Sequence, residues 1–599
     1  MSSVRSLSRS RIALLRAELK SRKLTGFIVP RQDEFQGEYV APYAERLLWL
    51  TGFAGSWGVA IVLLRKAAIF VDGRYTIQVR QQVDTKVIEP KHLVEEPPAA
   101  WIEKTLKAGD RLGYDPWLTT AAEAQRLAAA CTKVGARLVA VTGNPVDAIW
   151  ADQPQRPDAP VTTQPTQFAG RSAAEKTKDV VKDIAGCDAV VITQPDSLAW
   201  AFNIRGADVP YTPVALAYAI IRRKGKAEIF IDPSRVPEDV RARLKSVAKI
   251  CEPGDIGASL KALGRAKSTV RLDPATVPEA IRATLAKAGA RIVNGPDPCV
   301  LPKARKNRAE RQGARAAQLR DGVAMSRFLC WLETAAPGGR LDEVAVADRL
   351  HDFRRDGGML LDLSFDTISA AGPNAAIPHY HVSSESNRRL ADNEIFLIDS
   401  GGQYQDGTTD ITRTVIVGTP SDEMKDRFTR VLRGMIDLSR IRFPKGTTGS
   451  QLDVLARGAL WMAGLDFDHG TGHGVGSYLS VHEGPARVNK SDRTPLEPGM
   501  ILSNEPGYYK QGHFGIRIEN LLMVEEPADV AGGERKMLGF ETLTRCPIDR
   551  RLIAPRLLTD EQLAWLNAYH ALVLKDVGPF LEANDLDWLT RACAPIAAS

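Results

Sequence analysis

The chain is short of paired cysteines, of long apolar runs and, through its first half, of histidine. Seven cysteines stand at 131, 187, 251, 299, 330, 546 and 593, an odd number without a Cys-x-x-Cys pair. That spacing excludes a disulfide framework and a cysteine-built zinc site, and it indicates thiols kept in a reducing compartment. No apolar stretch approaches the ~20 residues that a helix needs to cross a bilayer. Charge is nearly balanced, with 79 basic against 72 acidic residues. There is no basic tail and no basic strip interleaved with aromatics, so no nucleic acid and no membrane is expected as a partner. The densest basic run, KARKNRAERQGARAAQLR at 303–320, reads as a solvated helix face.

At ~150 residues per domain, the 599 positions imply three or four domains. An internal echo organises the first half. AAIFVDGRY (67–75) recurs as AEIFIDPSR (227–235), each after an aliphatic run, VAIVLL and VALAYAII. The pattern reads as two copies of one α/β unit, separated by the Pro- and Gln-rich segment 151–167 and closed by a proline cluster near 294–306. Residues 307–333 have the composition of a long helix, and 551–599 read as helices without a reactive cluster. The start is Arg- and Ser-rich with no acid before Glu18, a composition shared with transit peptides. Against that, Ile12, Leu14, Leu15, Leu19 and Leu24 read as one side of a first helix leading into a strand GFIVP, and a cytoplasmic protein is expected.

Of nine histidines, six lie between 379 and 513, while the two N-terminal units hold only His92. Imidazole chemistry, if present, belongs to the third domain. DHGTGHGVG (468–476) carries two histidines and four glycines. A helix is implausible there, since each interior glycine costs roughly 1 kcal/mol against alanine. As a strand, the run would set Gly470, Gly472, Gly474 and Gly476 on one bare face, with His469, Thr471, His473 and Val475 on the other. A glycine-rich loop with incidental histidines is the competing reading.

Carboxylates supply the deciding pattern. Asp399 ends an apolar strand and Asp410 opens the next, with turn-forming Gln405-Asp406-Gly407 between them. A hairpin with a small bulge would set the two carboxylates roughly opposite, about 5 Å apart at Cβ. Glu505 and Glu519 repeat the device around Gln511-Gly512, and His473 lies between the two hairpins in sequence. Paired carboxylates at buried strand ends are costly unless a cation joins them. Four carboxylates and one imidazole form a hard donor set suited to Mn, or to Zn or Co in a mixed site. Two such ions are the arrangement of several hydrolases.

With those residues assembled, the third domain resembles the pita-bread metallopeptidases, a group that includes methionine aminopeptidase, prolidase and Xaa-Pro aminopeptidase. The resemblance implies two divalent metal ions. Asp410 and Glu519 would bridge them, Asp399 would complete one ion, and His473 and Glu505 the other. His379 in GPNAAIPHYHV and His482 in VHEGP resemble two further active-site histidines that orient substrate and handle protons. Glu505 would take a proton from the attacking water. His469 resembles a pocket residue near the substrate's proline, and Tyr509 and Arg517 resemble residues that help line the site. Pro378 and His381 depart from the pattern, which has an aliphatic residue before the first histidine and a small one two places after it. His379 fits the register better than His381.

Two N-terminal units, a catalytic domain and a tail resemble the three-domain cytosolic Xaa-Pro aminopeptidases along essentially the whole chain. The expected fold class is α/β (α+β): creatinase-like domains over 1–155 and 165–303, a pita-bread domain over 304–548, and a helical extension over 549–599. The implied function is removal of the first residue from peptides with proline second, by a homodimer. A prolidase acting on Xaa-Pro dipeptides is the near alternative. A non-catalytic binding protein is the distant one, and the full ligand set argues against it.

Overall fold

The structure is a computed structural model and describes residues 2–597. Residues up to Thr166 with Arg171–Val300 form one compact unit, and Gln167–Gly170 with the chain from Leu301 onward form another.

The echo of the first half is an echo of topology. One six-stranded sheet runs, edge to edge, Glu89–His92, Ala67–Val71, Val59–Leu63, Gly26–Pro30, Arg111–Tyr114, Arg137–Ala140. The other runs Ala248–Cys251, Ala227–Phe230, Tyr218–Arg222, Ala189–Ile192, Thr269–Leu272, Arg291–Asn294. Strand directions agree pair for pair, with antiparallel ladders on both sides of the third strand and parallel pairing elsewhere. AAIFV and AEIF occupy the same position in both sheets, and both are followed by an aspartate, Asp72 or Asp232, capping a short 3₁₀ turn. The first helix, Ser2–Ser21, buries Ile12, Leu15 and Leu19, as expected. Leu14 is exposed instead, because two positions from Ile12 lies across the helix from it.

The second unit opens with the helix Arg308–Ala335, started by a capping box between Asn307 and Glu310. Helix Glu343–Asp356 follows. A three-stranded sheet then forms from Ile368–Ala371, Glu394–Ser400 and Ile411–Val417, and a five-stranded sheet is built around Gly472–Gly474, Ile501–Asn504 and Asn520–Val524. Helices Asp422–Arg440, Gly449–Trp461 and Asp560–Val577 belong to the same unit. Phe328, Leu350, Phe396, Leu432, Ile516 and Leu566 share one continuous apolar core.

The helices Asp422–Arg440 and Gly449–Trp461 touch through Gly434, where a Cβ would lie 2.0 Å from the carbonyl oxygen of Ala456. Helix propensity alone would make Gly434→Ala stabilising by about 1 kcal/mol. The overpacking dominates, so we expect Gly434→Ala to lower stability by roughly 1–3 kcal/mol, read as a fall in the thermal midpoint.

Candidate metal centre

Two interrupted ladders set the carboxylates. Glu394–Ser400 pairs antiparallel with Ile411–Val417, with Asp399 opposite Thr412. Asp410 stands just before the second strand, so Asp399 and Asp410 form a diagonal pair and not the direct one expected from sequence. The cause is the connection. Gln403 pairs with Thr408 and Tyr404 with Gly407 in a small hairpin that adds to Leu360–Leu363. The turn falls where its residues indicated, but its centre shifts the register.

The second pair follows expectation. Asn504 is opposite Asn520 in one ladder and Gly507 opposite Arg517 in the next, both centred on Gly512, whose φ is +75°. Glu505 and Glu519 face each other in the gap between these ladders. The glycine run contributes a strand only over Gly472–Gly474, shorter than expected, although Thr471 and Val475 still donate their amides to Val488 and Ile501. Its bare face is required. A Cβ on Gly472 would lie 2.0 Å from the Ser503 oxygen, and one on Gly474 2.4 Å from that of Glu483.

Asp410, His473 and Glu519 each offer a ligand atom, all within 4.8 Å of one another. His473 Nδ1 lies 2.9 Å from the Gly474 carbonyl, which can only accept, so Nδ1 donates there and Nε2 is the atom turned to the carboxylates. Nε2 lies 3.4 Å from Glu505 Oε1 and 3.5 Å from Asp410 Oδ2. Asp399 Oδ2 accepts from Arg517 at 2.6 Å and Glu519 Oε2 from Thr412 at 2.8 Å. Asp399 Oδ1 and Glu519 Oε1 are buried, and no donor among the described residues reaches them. Burial first, and the neighbouring carboxylates second, push Asp410 and Glu519 far above the usual carboxylate range. Burial raises Glu505 to about 7. Without a cation the cluster must hold protons to offset its crowded carboxylates, and its hard oxygen donors with one imidazole fit divalent cations in their place.

The histidines separate by environment. The His482 ring stands 4.3 Å from that of His473, tilted by 77°. His469 lies outside the cluster, with its Nδ1 bonded to the Gly470 carbonyl at 2.7 Å and its Nε2 accepting from Tyr509 at 2.8 Å. The Tyr509 oxygen accepts in turn from Arg517 at 2.7 Å, so a chain of polar contacts links Asp399 to His469 through Arg517 and Tyr509. His379 is half-buried beyond the 3₁₀ turn Gly372–Ala376. His381 is exposed and ion-paired with Asp366, which raises its pKa.

The sequence reading missed several partners. Thr412 and Ser503 steady Glu519 and Glu505. Strand alternation could have flagged Thr412, two residues from Asp410. The basic run is not simply a solvated face. Lys303 and Lys306 are buried against the carboxylate of Glu483, the residue after His482, with Lys303 Nζ 2.9 Å from Oε1. Arg311, Arg315 and Arg320 pair with Glu526, Glu541 and Asp406.

Comparison with known proteins identifies the family. Metallopeptidase family M24 matches residues 312–526, and the C-terminal region of that peptidase matches 536–596. The creatinase/prolidase N-terminal domain matches twice, over 11–149 and 152–310. A probable Xaa-Pro aminopeptidase P of Paracoccidioides brasiliensis (strain Pb03) is 40% identical over 98% of this chain and 99% of its own. Another, from Aspergillus fumigatus, is 40% identical over 98% and 92%. The chain belongs to the Xaa-Pro aminopeptidases of metallopeptidase family M24. The X-prolyl aminopeptidase of Caenorhabditis elegans, described as a cytosolic enzyme with a di-nuclear active site, superposes with a TM-score of 0.94 at 35% identity, covering 98% of this chain and 100% of that one. A dipeptidase, PepE of Mycobacterium ulcerans, reaches 0.51 at 26% identity and covers 64% of this chain against 98% of its own.

The raised acidities carry a sign for stability. Glu505 shifts from an ordinary 4.5 to about 7 in the fold. Without cations, the native state therefore holds more protons than the unfolded chain between those values, and it loses stability as pH rises through them. We expect the chelated protein to melt at a lower temperature at about pH 8 than at about pH 5.5, and added divalent cation to abolish that fall. Differential scanning calorimetry at both pH values checks it.

Proposed function

We propose that this chain hydrolyses the bond between an N-terminal residue and a following proline, with Asp399, Asp410, His473, Glu505 and Glu519 holding two divalent cations. Bound there, the ions supply Lewis acidity toward the scissile carbonyl and lower the pKa of water. Manganese is the first choice for so oxygen-rich a set, with zinc or cobalt as alternatives. The rest falls to side chains. Glu505 takes the proton of the attacking water, and His379 and His482 donate hydrogen bonds to the oxyanion as the carbonyl becomes tetrahedral. Arg517 keeps Asp399 oriented and, through Tyr509, fixes His469 beside the pocket for proline. The observation that carries this reading is the buried cluster of carboxylates around the His473 imidazole, in which Asp399 Oδ1 and Glu519 Oε1 have no donor among the described residues. Similarity to aminopeptidases over nearly the whole chain favours this specificity over that of the dipeptidases.

The proposed domains are two creatinase-like units over 1–155 and 165–303, a catalytic domain over 304–548 and a helical extension over 549–599. Seven free cysteines support a reducing compartment and hence the cytoplasm. No helix of the described residues is long and apolar enough to cross a membrane. A homodimer is supported by apolar side chains left exposed around one helix, Gly449–Trp461: Val454, Trp461 and, just past its end, Met462, which is 89% exposed. Val454→Glu with Met462→Glu should then yield monomer by sedimentation. Wild-type protein that sediments as monomer would overturn the dimer.

The enzymatic test uses a tripeptide with proline second and the matching Xaa-Pro dipeptide, with Mn and then with a chelator. We expect metal-dependent release of the first residue from the tripeptide, with the dipeptide slower. Activity confined to the dipeptide would mean a prolidase, and none on either would mean a binding protein. Asp410→Ala and Glu519→Ala should lose metal and activity together. His482→Ala should keep its metal yet lose turnover by about 100-fold or more.

A further inference from the structure

Glu343 is wholly buried at the first turn of the helix Glu343–Asp356, and its ion-pairing needs are met without a cation. Its Oε1 accepts from the Ala371 amide at 2.8 Å and from Asn374 Nδ2 at 2.9 Å. Its Oε2 accepts from the Tyr380 hydroxyl at 2.9 Å and from the Arg388 amide at 3.2 Å. The main chain of Glu343 joins in, since its carbonyl accepts from Ser369 Oγ at 2.6 Å and its amide donates to the Arg388 carbonyl at 3.1 Å. The Arg388 guanidinium goes elsewhere, to Glu394. One carboxylate thus gathers the beginning, middle and end of the segment 369–388.

That segment carries His379 and is fixed to both halves of the metal centre. It leaves the strand Ile368–Ala371, whose Ile368 is opposite Asp399. Its 3₁₀ turn lies on the strand that ends in Arg517, so closely that a Cβ on Gly515 would sit 1.7 Å from the Ala375 oxygen. Tyr380, bonded to Glu343, is the residue after His379. Asp366 holds His381 on the exposed side.

We infer that Glu343 is a positioning residue for the hydrolysis: its carboxylate folds the 369–388 segment and thereby presents His379 to the substrate. The inference rests on the role given to His379 above. Glu343 itself touches neither substrate nor ion.

Glu343→Gln keeps the volume but turns one oxygen into an amide nitrogen that would face N–H donors. Turnover should fall on the order of 10- to 100-fold, with two ions per chain retained and amide exchange faster across 371–388. The deciding measurement is a double-mutant cycle with His379→Ala, in which Glu343→Gln should add no further loss. Tyr380→Phe, which removes one donor, should show the same non-additivity with a smaller effect, and it carries the test if Glu343→Gln does not fold. Wild-type turnover in Glu343→Gln, full additivity with His379→Ala, or loss of ions along with activity would each overturn the inference. Wild-type turnover in His379→Ala alone would instead overturn the role of His379, on which the inference stands.

Discussion

Four carboxylates and one imidazole converge in the second unit with one guanidinium, that of Arg517, among them. Removing such a set from water is expensive, because desolvation and like-charge repulsion act in the same direction. Arg517 is a counter-charge that bonds Asp399 directly, and it offsets the repulsion only in part. The other surroundings contribute neutral donors that each satisfy one oxygen, Thr412 for Glu519 and Ser503 for Glu505, and a carbonyl that accepts from His473 Nδ1. The remaining acceptors point at one another. Folding of this unit is therefore linked to whatever positive charge arrives there, protons or cations. The ladders reflect the same constraint, since the glutamates stand in a gap between two ladders and Asp410 just ahead of a strand, where a side chain can turn inward without costing a ladder hydrogen bond.

Local signals carried much of this. The echo between AAIFVDGRY and AEIFIDPSR told of two equivalent sheets because burial imposes the same apolar run on the same strand position. Gln511-Gly512 set the register of Glu505 against Glu519 because a glycine with positive φ fixes the centre of a hairpin. Where the reading slipped, register or a distant partner was responsible. Asp399 faces Thr412 because the strands and the connecting hairpin share one register centred between Gln405 and Asp406, without the small bulge expected; the hairpin also pairs with Leu360–Leu363, some forty residues upstream. The inward turn of Lys306 depends on Glu483, 177 positions away, and composition cannot tell a solvated lysine from one that has such a partner. The glycine run was legible as a close approach of backbones, and Gly472, Gly474 and Gly476 would each set a Cβ within 3 Å of a neighbouring carbonyl oxygen, although the regular strand covers only Gly472–Gly474.

Buried glutamates in this unit meet the same electrostatic problem in three ways. Glu483 has two lysines, and breaking such a set by removing one partner would strand a charge in the interior. Glu343 has amide, carboxamide and hydroxyl donors at a helix N-terminus, where the macrodipole favours a negative charge. Glu519 has a single threonine and an oxygen with no donor. The count of donors, more than depth of burial, distinguishes the roles. A carboxylate saturated by its own chain can only hold that chain in place, as Glu343 holds the segment around His379. A carboxylate left with an open oxygen, beside others in the same state, can exchange protons or bind a cation. The site therefore divides into side chains that do chemistry and side chains that hold them, and the hydrogen-bond inventory separates the two.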